Sequence, residues 1–197
     1  MKDLLEIRWV GRGGQGAVTA AKMFAESALL EGKFIQAFPE FGPERMGAPV
    51  KSFTRVSTKP ITLHCQVANP DISVLLDSTL IGVVDITEGV GKNGIIVINT
   101  KESPSYMRQK IGLEKDKKIY TVDASGISVK TVGRNIPNMP MLASVVKVSG
   151  VLKLDSVIRS FQHDYAQKFK AEIVEANRSA MRMAYDQTKS EDNAART

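Results

Sequence analysis

"IRWVGRGGQGAVTAAKMFAESAL", residues 7–29, runs from an apolar stretch through Gly11, Gly13, Gly14 and Gly16 into an alanine-rich segment. Glycine loses more backbone entropy on ordering than any other residue, so this cluster needs a cause. Either the backbone turns too tightly for side chains, or another group approaches it closely. The flanks narrow the choice. "LLEIRWVG" (4–11) reads as a strand with Ile7, Trp9 and Val10 apolar. "GAVTAAKMFAESALLEG" sets Val18, Ala21, Met23, Phe24, Ala25, Ala28 and Leu29 at helical spacing and stops at Gly32. The glycines therefore form a strand-to-helix turn of the pattern G-x-G-x-x-G. In that setting they permit a sharp bend and let an anion reach the helix N-terminus. Backbone N–H groups of Gly13, Gly14, Gln15 and Gly16 are the expected donors, and Arg12 the expected bidentate phosphate contact. Packing of strand against helix would also account for the glycines.

Downstream, strand-like and helix-like segments alternate. "KFIQAFPEF" is a short strand broken by Pro39, and "VKSFTRVS" (50–57) alternates with period two, as for a sheet with one covered face. "ISVLLD" (72–77) is a continuous apolar run suited to a buried parallel strand. A helix is predicted from there to about Glu88, then strands at "IIVINT" (95–100) and "KIYTVDA" (118–124). Helical periodicity dominates from about residue 125. The class is α/β: a Rossmann-like open sheet, mostly parallel, with helices on both faces and a helical C-terminal third. A single domain over 1–188 and a polar, frayed tail over 189–197 are expected. Met139, Met141, Met181 and Met183, with Val145, Val146 and Tyr185, suggest an adaptable apolar face that docks a partner, or a second copy in isolation.

A dinucleotide site of this pattern also needs an acid at the end of the second strand, for the ribose. Glu31 precedes that strand and Glu40 lies beyond Pro39, so nicotinamide is disfavoured. A second segment belongs at the same sheet edge, and a third is a further candidate. "FPEFGPERMGAP" (38–49) follows the second strand and carries the charged pair Glu44 and Arg45. "NIPNMPML" (135–142) places Asn138 between two prolines, either at the site or as a helix cap.

Composition excludes several functions. Cys65 is the sole cysteine, so no internal disulfide forms and no iron–sulfur cluster is held by this chain alone; a buried thiol is expected. His64 and Cys65 are strand neighbours pointing apart, so no metal site and no catalytic residue is assigned. The net charge of +6 is scattered over lysine-rich surface without aromatic interleaving, which argues against nucleic acid. No apolar run is long enough to span a membrane and no signal-peptide pattern opens the chain, so the cytoplasm is the expected compartment.

"GRGGQG", "FGPERMGAPVKSFTRVS", "NPDISVLLD" and "NIPNMPMLAS" together resemble the gamma subunit of the 2-oxoacid:ferredoxin oxidoreductase family, the pyruvate:ferredoxin oxidoreductases (pyruvate synthases) above all. The likeness covers nearly the whole chain. It departs at Arg45-Met46-Gly47, where members often read Arg-Gly-Gly, and at Ala143-Ser144, where Gly-Ala is usual. The resemblance implies a multi-subunit enzyme that decarboxylates a 2-oxoacid, forms an acyl-CoA from coenzyme A and reduces ferredoxin. It implies alpha, beta and delta partner subunits that carry thiamine diphosphate, magnesium and the iron–sulfur clusters. This chain has no Gly-Asp-Gly run followed by Asn for a thiamine-bound magnesium. It implies further that residues 12–16 and Arg45, with Asn138, lie near coenzyme A. The residues leave three alternatives open: a gamma chain for 2-oxoisovalerate, 2-oxoglutarate or indolepyruvate, a free-standing NAD(P)- or flavin-dependent oxidoreductase, and a non-catalytic interaction module.

Overall fold

Apolar side chains on both sides of β1 (Leu4–Arg12) place it at the centre of the sheet: Ile7 and Trp9 enter one core layer and Val10 the other. The structure, a computed structural model, describes residues 3–40 and 47–191. From β1 the chain passes through the glycine turn into α1 (Ala17–Leu30) and returns as β2 (Phe34–Pro39) and β3 (Pro49–Ser57). Next come β4 (Ile72–Leu75), β5 (Ile95–Asn99), α2 (Pro104–Ile111) and β6 (Lys118–Val122). Four helices follow, α3 (Ala124–Val132), α4 (Asn138–Ser149), α5 (Leu154–Tyr165) and α6 (Ala171–Gln187), and then the two-residue β7 (Lys189–Ser190).

The sheet order is β2-β3-β1-β4-β5-β6-β7. β1, β4, β5 and β6 pair in parallel; β3 is antiparallel to both β1 and β2, and β7 to β6. Hence β2, β1, β4, β5 and β6 run one way, and only β3 and β7 oppose them. The mostly parallel sheet expected from the sequence is present, with helices on both faces but unequally. α1 and α3–α6 cover the face bearing Ile7, Trp9, Val74 and Val97. α2 and the segment 78–94 cover the face bearing Val10, Leu75, Ile96 and Ile98. On the thicker side Trp9 packs against Phe24 at 6.1 Å between ring centroids, while its Nε1 donates to Thr54 Oγ1 at 3.1 Å. Each such buried side chain contributes about 1.5–3 kcal/mol.

Several expectations give way. The helix predicted after Asp77 is only a 3-10 turn, Ser78–Leu80, because Gly82 and Gly89 adopt φ of +86° and +71° and interrupt it. α2 was not legible in the sequence; Ser103 caps it through the Tyr106 N–H, and Pro104 opens it. Within β3, residues 52–57 are buried, since α1 lies over one face and Arg55 on the other is bonded to Glu6, Gln36 and Cys65. The methionine face is core: Met139, Met141, Met181, Val145 and Val146 are at most 2% exposed, and Met183 and Tyr185 pack beside them. That face is therefore interior and is not the exposed apolar surface expected to dock a partner or a second copy. Cys65 is exposed, not buried, with Arg55 Nη2 at 3.7 Å from its sulfur. The tail is not free from residue 189: Ser190 and Lys189 pair with Tyr120 and Thr121, and Glu191 accepts from Arg108 at 2.7 and 2.6 Å.

Candidate functional site

Helices and loops leave β1 toward one side of the sheet and β4 toward the other, so a crevice opens at the carboxyl ends between these two strands. This is the switch point at which open α/β sheets bind ligands. The glycine turn forms one lip. Gly14 and Gly16 have φ of +93° and +81°, accessible to glycine, and Gly16 directly precedes α1, which has no side-chain cap. Gly16 is also hemmed in: a Cβ there would lie 2.5 Å from Asn138 Nδ2. Asn138 thus sits against the turn, and its own Oδ1 accepts from the Met139 N–H at 2.8 Å. It is the first residue of α4 rather than its cap.

The turn is closed by its own groups. Gly13 N–H donates to Ala48 O at 3.2 Å and Gln15 N–H to Arg12 O at 3.1 Å, so neither amide has the open donor role expected for an anion. Gln15 Oε1 accepts from the Arg12 N–H at 2.8 Å, and Gln15 Nε2 donates to Asp77 Oδ2 at 2.7 Å. Arg12 is held on three sides: Nε lies 3.2 Å from Asp77 Oδ2, Nη1 donates to Gly47 O at 2.9 Å, and Nη2 to Thr79 Oγ1 at 3.0 Å. Its guanidinium is therefore a clamp between the turn, the segment at Gly47 and the end of β4. Arg45 and Glu44 lie outside the described residues.

Asp77 is the hub that the sequence did not single out. Thr79 donates to its Oδ1 through both N–H (2.9 Å) and hydroxyl (2.7 Å), opposite the Gln15 and Arg12 contacts. Partial burial disfavours its charge, but the hydrogen bonds from Thr79 and Gln15 and the Arg12 cation prevail and hold the carboxyl below its ordinary value. The available signal was an acid closing an apolar strand, "ISVLLD". Its meaning depended on β4 lying beside β1, fixed by the Leu76 N–H to Val10 O bond at 2.8 Å.

Beyond Asp77 the crevice widens to about 340 Å³, lined by Gln15, Asn99, Lys101, Asp123 and Ser125 among others. Asn99 Nδ2 donates to Leu76 O (2.7 Å) and to Ser125 Oγ (2.9 Å), tying the ends of β4, β5 and α3. Lys101 also borders a larger hollow of about 650 Å³ that continues toward β7. There Lys147 donates to the Asp186 and Thr188 carbonyls at 3.2 Å each. Burial, partly offset by Asp186, lowers its affinity for a proton. Among the described residues no cluster of His, Cys, Asp or Glu could hold a metal ion, and no helix is long and apolar enough to cross a membrane.

The neighbour of β1 on the turn side is antiparallel β3, with Arg12 opposite Pro49. No parallel second strand lies there to carry a ribose-binding acid, which removes the geometric basis for a nicotinamide site. Fold and site together define a Rossmann-like α/β protein whose glycine turn is latched shut at the sheet's switch point. Residues 6–187 match the family described as pyruvate ferredoxin/flavodoxin oxidoreductase. The chain is 41% identical over 188 residues to pyruvate synthase subunit PorC of Thermotoga maritima, covering 95% of this chain and 96% of that one. It is 44% identical to the pyruvate/ketoisovalerate oxidoreductases common subunit gamma of Pyrococcus abyssi, covering 94% and 97%. The crystal structure of pyruvate oxidoreductase subunit PORC from Thermotoga maritima superposes with a TM-score of 0.84 at 39% identity, covering 96% and 99%. The chain belongs to the pyruvate ferredoxin/flavodoxin oxidoreductase family.

Proposed function

We propose that this chain is the gamma subunit of a pyruvate:ferredoxin oxidoreductase. The assembled enzyme decarboxylates pyruvate, transfers the acyl group to coenzyme A and passes the electrons to ferredoxin, reversibly. The observation carrying this reading is the match to gamma-type subunits along almost the full length of both partners. Alpha, beta and delta subunits would supply thiamine diphosphate with magnesium for decarboxylation and iron–sulfur clusters for electron transfer. Choice of 2-oxoacid then rests with those subunits. A relative whose name joins pyruvate and ketoisovalerate oxidoreductases supports that division of labour.

Within this reading, residues 12–16, Arg45 and Asn138 form the edge that faces coenzyme A. The Asp77 latch fixes the turn's shape, so Arg12 meets a phosphate as a preset, partly neutralised cation rather than a free one. Reconstituted enzyme carrying Arg12→Ala or Arg45→Ala tests the assignment by steady-state kinetics. A charge-assisted hydrogen bond of about 1.5–3 kcal/mol corresponds to a rise in KM for coenzyme A of about tenfold or more. An unchanged KM in both variants would leave the turn a packing device.

A further inference from the structure

A second cleft, of about 500 Å³, opens between α1, α4, α5 and α6 on the helical face. That volume lies within the range of small-molecule sites. One wall is a column of rings: Phe161 and Tyr165 stack at 4.9 Å between centroids, and Tyr165 and Phe169 at 5.4 Å with planes 13° apart. Phe161 and Met139, 3% and 2% exposed, form the floor, whereas Ile136 and Phe169 are open at the rim. Arg134 stands at the mouth and makes no ion pair with any described residue.

The mouth is held in place. Buried Ser128 places its Oγ 2.7 Å from Arg134 O and accepts the Ile136 N–H at 3.2 Å, so the turn carrying Arg134 is pinned from beneath. Apolar ring surface, a cation on a pinned turn without a carboxylate partner among the described residues, and a half-open cleft of this size are complementary to one class of molecule. We propose that this cleft binds a planar aromatic carboxylate, its ring against Tyr165 and Phe169 and its carboxylate at Arg134. The proposal goes beyond the gamma-subunit reading and does not depend on it.

Calorimetric titration of the full chain with 2-naphthoate and with naphthalene-2-methanol separates ring from charge. Naphthoate should bind with one-to-one stoichiometry and about tenfold tighter than the alcohol, the preference expected of one charge-assisted contact. Arg134→Ala, an exposed substitution that leaves the core intact, should erase the preference and spare alcohol binding; Phe169→Ala should weaken both. Several results overturn the proposal: no binding, equal affinities in the unmodified chain, or a preference that survives Arg134→Ala. Naphthoate excluded from the assembled enzyme does so too, by making the cleft a subunit contact.

Discussion

Asp77 carries more of the site than any residue in the glycine turn itself, because its two oxygens join Gln15, Arg12 and Thr79. Its side chain is 16% exposed, so the contacts act in a partly dry setting. Removing a hydrogen-bonded carboxylate of this kind costs about 2 kcal/mol, so Asp77→Ala should lower unfolding free energy by about that amount at neutral pH. The folded-state pKa lies below the ordinary 3.8, so the stabilisation is present above that value and drains as pH falls through the lower folded value. Urea unfolding of the two proteins should therefore converge as the pH falls below the ordinary carboxylate value. A gap that stays constant with pH would contradict the latch. Residues 11–16 were legible as a turn because strand, glycines and helix are contiguous. Asp77 was not, because its partners Gln15 and Arg12 lie 62 and more residues away and meet it only through sheet pairing.

At the level of elements, the start of α1 abuts the start of α4, and the two constrained glycines of the turn divide their roles. A Cβ on Gly14 would meet nothing within 4 Å, whereas one on Gly16 would strike Asn138. Both positions carry positive φ, worth about 1–2 kcal/mol to an L residue. Gly14→Ala should thus cost about 1 kcal/mol, and Gly16→Ala about 3 kcal/mol once overpacking is added. Chemical denaturation of both variants checks the order, and equal losses would place the crowding elsewhere. Strongly periodic helices and buried strands were readable for the same reason, since one face or both had to be apolar. The segment after Asp77 misled because Leu80 reaches the core from the end of a 3-10 turn, and Ile86 and Val90 reach it singly from loops. The methionines of α4 and α6 misled differently: soft side chains suit a surface that adapts and a core that fills irregular gaps.

For the molecule as a whole, family membership makes this chain one subunit of a multi-subunit oxidoreductase. The described residues offer no cation cluster, and a lone exposed thiol cannot bind an iron–sulfur centre. The purified chain should therefore be colourless, free of stoichiometric iron, and inactive toward pyruvate, coenzyme A and a viologen acceptor. Metal analysis and a single activity assay decide this; turnover by the chain alone would refute the gamma-subunit reading. The sheet order bears on the same question, because inserting β3 between β1 and β2 dismantles the parallel unit on which a dinucleotide enzyme relies.

The placement of Asn138 against Gly16 also sets a schedule for synthesis. The ribosome delivers the glycine turn well before its partners, for Asp77 emerges 62 residues after Gln15 and Asn138 later still. Until then the nascent turn lacks both its latch and its backstop, whatever strands have already paired. Mature geometry of the turn is thus a late product of translation, completed by α4 rather than by the segment that encodes it.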